Sequence, residues 1–133
     1  MTKVYIDTNI FINVTNAETN IYGKNISNSA SDLFYQAASC KYYLIISSWT
    51  LQELYKKVKV EEVAIIFAIC KNKIIKVIHD EEDIKKAKEK SPTNFDDALH
   101  VILAEKSEAD YIVTRDNHFR DIKTKIPIRK PEN

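Results

Sequence analysis

Glycine is almost missing from this 133-residue chain, which has only Gly23. A Walker loop or a G-x-G-x-x-G turn needs several glycines so that backbone N–H groups can approach phosphates closely. ATP, GTP and nicotinamide chemistry built on those loops is excluded, and so is a G-x-S-x-G nucleophile elbow. Cysteine is scarce too. Cys40 and Cys70 stand far apart, so no C-x-x-C pair exists for zinc or redox work. Cys70 closes the apolar run Val63-Ala64-Ile65-Ile66-Phe67-Ala68-Ile69 and reads as a buried thiol. That run is the longest apolar stretch and falls far short of the ~20 residues a bilayer span requires. Met1-Thr2-Lys3 leads straight into a strand-like segment, so no signal peptide is expected. With unpaired thiols, that makes a cytoplasmic location the expectation. An excess of one charge is also lacking: 20 basic against 19 acidic residues give a net charge of +1. Any groove for nucleic acid would have to be a local arrangement.

What is present is 44% hydrophobic residues in one domain's length, so residues 1–133 are expected to form a single domain. Lys3-Val4-Tyr5-Ile6, Tyr43-Leu44-Ile45-Ile46, Ile74-Ile75-Lys76-Val77-Ile78 and Tyr111-Ile112-Val113-Thr114 are β-branched or aromatic runs that read as strands, with Ile126-Pro127-Ile128 a short edge strand. Helical spacing predicts helices over 8–14, 31–40, 48–58, 60–71, 81–90 and 95–106, with a loop or weak helix over 15–29. Ser91-Pro92-Thr93-Asn94 breaks the helical pattern, and Asn94 or Thr93 is placed to cap the helix that follows. Strands alternating with helices predict a parallel α/β sheet covered on both faces.

Ligands of such a sheet bind beyond the carboxyl ends of its strands, where the strand order reverses. Asp7 directly follows the first strand and Asp116 closely follows the fourth, while Glu53 and the doublet Asp96-Asp97 stand near helix beginnings. Each acid has an ordinary structural explanation. Asp7 fits a helix cap, Glu53 a capping box with Thr50, Asp96 and Asp97 the helix dipole, and Asp116 an Asx turn. Gathered at one sheet edge, they would repel one another. A hard divalent cation such as Mg²⁺ or Mn²⁺ relieves that repulsion and suits phosphodiester hydrolysis. His100 stands four residues after Asp96 and reads as its partner on the helix surface, and His79 and His118 as surface or loop residues.

The order of these segments resembles the PIN-domain ribonucleases, especially VapC-type toxins, over nearly the whole chain. Val4-Tyr5-Ile6-Asp7-Thr8-Asn9 is similar to the family's opening strand and D-x-N, and Ser47-Ser48-Trp49-Thr50-Leu51-Gln52-Glu53-Leu54 to the segment with its second acid. Phe95-Asp96-Asp97-Ala98-Leu99-His100 resembles the helix with the third acid, and Thr114-Arg115-Asp116-Asn117-His118-Phe119 the closing T-x-D-x-x-F. The resemblance implies a three-layer α/β/α domain with a parallel sheet of four to five strands. It also implies a metal-dependent endoribonuclease using Asp7, Glu53, Asp97 and Asp116. Asp97 is taken over Asp96 because Ala98-Leu99-His100 should follow the acid directly. Asp7 and Asp97 would be the principal metal ligands, with Asp116 contributing directly or through water. Glu53 would orient a water or complete the ion's surroundings, and Asn9 and Thr114 would hold the carboxylates.

Basic residues gather at 56–59, at 71–73 and in the tail, where Arg115 is the expected phosphate contact because its fork grips phosphate bidentately. Tyr22, Tyr42, Tyr43, Tyr55 and Trp49 offer stacking surfaces for unpaired bases. The resemblance further implies an RNA substrate, an antitoxin partner and a homodimer, with the apolar helices over 31–40 and 48–70 as interface material. A housekeeping RNA-processing nuclease and a non-catalytic scaffold of the same fold are the alternatives. A receiver fits poorly for want of an acidic pair before the first strand's aspartate, and a D-x-D phosphatase because position 9 is asparagine.

Overall fold

The computed structural model describes residues 2–16, 37 and 41–131. Its elements are β1 (Lys3–Ile6), α1 (Thr8–Asn16), β2 (Tyr43–Ser47), α2 (Ser48–Lys57), α3 (Val60–Ile69), β3 (Ile74–Val77), α4 (Glu81–Lys90), α5 (Phe95–Lys106), β4 (Tyr111–Val113) and β5 (Ile128–Arg129). A 3₁₀ turn, Asn117–Asp121, lies between β4 and β5. The loop expected over 15–29 and the helix over 31–40 fall largely outside the described residues, although Ala37 is helical and buried.

All five strands pair in parallel in the order β3-β2-β1-β4-β5. Alternation along the strands divides the interior into two layers. Val4 and Ile6 of β1, with Leu44 and Ile46 of β2, face a cluster containing Ile10, Phe11, Leu54, Val63 and Ile66. Tyr5, Ile45 and Ile112 face the opposite side, against Leu99, Val101, Leu103 and Phe119. The three-layer α/β/α arrangement and the parallel sheet predicted above are therefore present.

Element ends differ from the sequence reading in instructive ways. Ser47 caps α2, its Oγ accepting from Thr50 N–H, so Thr50 lies inside the helix and is not its cap. Asn94 occupies the cap position of α5 without a side-chain capping bond. The edge strand begins at Ile128. Pro127, lacking an N–H, contributes only its carbonyl, which accepts from Ile112 at 2.9 Å. No helix among the described residues is long and apolar enough to cross a membrane.

Candidate active site

The strand order reverses between β1 and β4: β2 and β3 extend to one side, β4 and β5 to the other. Ile6 and Val113 are register partners, so the residues immediately after them, Asp7 and Thr114, emerge side by side at the carboxyl edge. Asp7 N–H donates to the Val113 carbonyl at 3.1 Å, which extends the pairing by one residue. Thr114 Oγ1 donates to Asp7 Oδ2 at 2.8 Å and accepts from Asp116 N–H at 3.0 Å. One hydroxyl thus ties the carboxylate of one candidate acid to the backbone of another. Asp7 and Thr114 are both buried. Asp116 Oδ1 accepts from His118 N–H at 2.9 Å and opens the 3₁₀ turn, the Asx-type geometry expected of it, while fully buried Phe119 anchors that turn.

Glu53 sits in the second turn of α2, not at its beginning. Its Oε1 accepts from Thr8 Oγ1 at 2.8 Å and lies 2.8 Å from His100 Nε2. The sequence reading placed His100 on the helix surface beside Asp96. It is instead 1% exposed, because α5 is covered by the sheet on one side and by α4 on another, leaving Ala98 to Val101 all buried. Its Nδ1 lies 2.7 Å from the Tyr5 hydroxyl, which donates to Ser47 Oγ at 2.8 Å. With the Tyr5 hydrogen directed at Ser47, Nδ1 is placed to donate to the Tyr5 oxygen. Burial is the largest influence on His100 and opposes its charge. Tyr5 and the Glu53 and Asp7 carboxylates outweigh it and hold the pKa well above the ordinary histidine value. The counterpart holds for Glu53, where burial raises the pKa but the bonds from His100 and Thr8 bring it below the usual carboxylate range.

His100 Nε2 is also 3.8 Å from Asp7 Oδ1, so this buried cation stands between two of the four acids. Asp7 nevertheless titrates above its ordinary value, because burial outweighs the help of His100 and Thr114. Asp97 lies in the first turn of α5 and lines an open hollow of about 350 Å³ together with Asp116, Thr93, Asn94, Phe95 and Asp96. Burial first, then the charges of Asp116 and Asp7, push its carboxyl up to about 6. Asp96 is exposed, which favours Asp97 as the member of the doublet that faces the other acids. Donor atoms of Asp97, Asp116 and His118 all lie within 4.8 Å of one another. An oxygen-rich, net negative set of this kind fits a hard divalent cation.

Of the other residues singled out in the sequence, Asn9 is exposed, and the holding of Glu53 and Asp7 falls to Thr8 and Thr114. Arg115 Nε donates to Asn13 Oδ1 at 3.0 Å, and the residue borders a crevice with Asp116, Arg120, Arg129 and Lys130. Tyr42 is buried and presents no stacking face, Tyr43 carries Lys73 over its ring, and Trp49 is edge-on to His79 and Phe95. Tyr55 is exposed, and Tyr22 lies outside the described residues. Sequence reasoning missed Tyr5, Thr8, Ser47 and His100. The available signal was the spacing of His100, one turn after Asp97 on the same helix.

A family profile described as PIN domain matches residues 3–118. No curated protein matches the chain at a significant level. Among solved structures, the chain is similar to VapBC2 from Rickettsia felis, determined bound to a DNA fragment from its promoter. There the identity is 18%, the coverage 97% of this chain and 98% of that one, and the TM-score 0.64. It is also similar to VapC20 of Mycobacterium tuberculosis, a toxin that cleaves the sarcin–ricin loop. That likeness has 17% identity, 89% and 93% coverage and a TM-score of 0.63. These likenesses are to the fold.

Proposed function

The chain belongs to the PIN-domain family, and from that premise we propose that it is a divalent-metal-dependent endoribonuclease, the toxin of a toxin–antitoxin pair, formed by one domain over residues 1–133. The observation that carries this reading is that Asp7, at the reversal point of the sheet, is tied through Thr114 to Asp116, whose carboxylate in turn lies within 4.8 Å of that of Asp97. A fold that gathers like charges there, with no lysine or arginine shared by these acids among the described residues, is suited to an added cation. RNA as substrate is supported by the likeness to VapC20, and an antitoxin partner by the likeness to VapBC2. Exposed Val60 and Ile65 on α3 suit contact with an antitoxin or a second copy.

In this reading Asp7, Asp97 and Asp116 hold Mg²⁺ or Mn²⁺. When bound, the ion would lower the pKa of water and neutralise charge on the scissile phosphate. The chain's own residues prepare that chemistry. Thr114 holds Oδ2 of Asp7, which orients Oδ1. Thr8 and His100 both engage Oε1 of Glu53, so Oε2 is the oxygen left to orient a water or accept its proton. Arg115, with Arg120 and Lys130 beside the same crevice, holds the phosphate chain next to Asp116.

The test is cleavage of single-stranded RNA by the purified protein with Mg²⁺ or Mn²⁺, with EDTA, and with Asp7→Asn. EDTA is expected to abolish cleavage, and Asp7→Asn to lower it at least about a hundredfold with folding intact. Equal cleavage by Asp7→Asn and wild type would sink the mechanism.

A further inference from the structure

We propose that His118 is a nitrogen ligand of the ion held by Asp97 and Asp116, and that it biases the site toward transition-metal ions over Mg²⁺. This rests on the nuclease reading above, since it concerns the same ion. The geometry is local. His118 stands two residues after Asp116, and its donor atom lies within 4.8 Å of those of Asp97 and Asp116. A six-coordinate ion with bonds of about 2.1 Å spans neighbouring donors roughly 3 Å apart and opposite donors roughly 4.2 Å apart. The observed grouping is close to what one ion can draw together.

The backbone that carries the ring is held on both sides. Its N–H is bonded to Asp116 Oδ1 at 2.9 Å, and the next residue, Phe119, is fully buried and stacked on His100 with ring centroids 6.2 Å apart. The ring itself is 67% exposed, with Nδ1 3.3 Å from Asp116 Oδ1, so it can turn toward an ion without repacking the interior. The other two histidines are committed elsewhere: His100 to Tyr5 and Glu53, and His79 to Ser48.

The consequence is chemical. Carboxylates serve Mg²⁺ and Mn²⁺ alike, whereas an imidazole nitrogen adds little for Mg²⁺ and progressively more along Mn²⁺, Co²⁺ and Ni²⁺. A site otherwise made of acids thereby acquires, through one exposed residue of the 3₁₀ turn, a donor that discriminates among ions.

The test is ion binding by the full chain without RNA. Mg²⁺, Mn²⁺ and Co²⁺ titrations are followed by calorimetry for wild type, His118→Ala and Asp116→Asn, with thermal melts confirming that the variants fold. His118→Ala is expected to weaken Co²⁺ binding about tenfold and Mn²⁺ about threefold while Mg²⁺ changes less than about twofold, and Asp116→Asn to weaken all three. Pulsed electron paramagnetic resonance of bound Mn²⁺ is expected to show a coupled nitrogen in wild type that vanishes in His118→Ala. Unchanged ion ratios with no nitrogen coupling, while wild type still binds and cleaves, would overturn the role of His118 alone. Failure of wild type to bind any of the ions would overturn the metal centre and this inference with it.

Discussion

His100 Nε2 lies 2.8 Å from Glu53 Oε1, joining α5 to α2 beneath the acidic edge across 47 positions of sequence. Tyr5, Thr8 and Asp7 surround the pair, and His100, being 1% exposed, cannot turn to water if Glu53 is removed. Replacing His100 with Leu keeps much of the volume and deletes both bonds. Removing one partner of a buried charged pair costs about 3–5 kcal/mol, and the expected loss here is about 3 kcal/mol by urea unfolding, Glu53 being only partly enclosed. A variant within about 0.5 kcal/mol of wild type would show that the pair contributes no net stability.

Asp97 carries the opposite prediction. Burial and the charges of Asp116 and Asp7 raise its pKa to about 6, so in the metal-free protein near neutrality its ionised form opposes folding. With a raised carboxyl pKa the folded state binds the extra proton, and stability falls as pH rises through that value. Asp97→Asn removes the charge and is expected to stabilise the metal-free chain by about 1 kcal/mol at neutral pH, after discounting for solvent screening. Saturating Mn²⁺ should reverse the order and raise the melting temperature of wild type more than that of the variant. A variant less stable than wild type in EDTA would contradict the repulsion argument.

How much of this was legible in the sequence depended on which interactions are local. Asp7 and Asp116 could be placed because one directly and the other closely follows a β-branched strand, and a parallel sheet sends both to one edge, whereas Thr114 read as the last residue of the fourth strand and stands just beyond it. The role of His100 was hidden because helical spacing alone allows two partners. Asp96 lies one turn back on the surface side, and a core contact lies on the other. Only the packing of α5 between the sheet and α4 decides between them. Glu53 fitted a capping box with Thr50 on local pattern. Ser47 stands at the end of β2, however, and takes the cap, so the helix starts earlier and Glu53 is carried to its second turn. Local chemistry was readable, whereas competition between two suitable residues was settled by the neighbouring strand.

Thr114 links Asp7 to the backbone of Asp116 through one oxygen, so a substitution there tests the edge without touching a carboxylate. Thr114→Val keeps the β-branched shape favoured at a strand end and removes the hydroxyl. It leaves Asp116 N–H without its acceptor and Asp7 Oδ2 without its donor, a loss of about 1–3 kcal/mol in stability. RNA cleavage is expected to fall about tenfold, with less effect on RNA affinity, because the carboxylates lose orientation while the arginines and lysine of the crevice that Thr114 also borders are unchanged. Cleavage at the wild-type rate would show that Asp7 is held by other contacts.

Far from this edge, burial of Cys70 and Tyr42 opposes their ionisation in the folded chain. Cys70 is 1% exposed, and burial pushes its thiol up to about 11. Burial also raises the Tyr42 hydroxyl, with smaller contributions from Tyr111 and Cys70 nearby. Both pKa values are raised on acids that are neutral when protonated, so the native state keeps protons that the unfolded chain releases. Stability is therefore complete below the unfolded thiol's pKa and declines as pH rises from about 9 toward 11. Cys70→Ala costs some stability at every pH through the space it opens, but it removes the thiol's share of the alkaline decline. Between about pH 8 and about pH 10.5, wild type is expected to lose about 2 kcal/mol more than Cys70→Ala in urea unfolding. Because Cys40 is present in both proteins, it cancels in this difference, and parallel pH curves would mean that the thiol ionises in the folded state as readily as in the unfolded one.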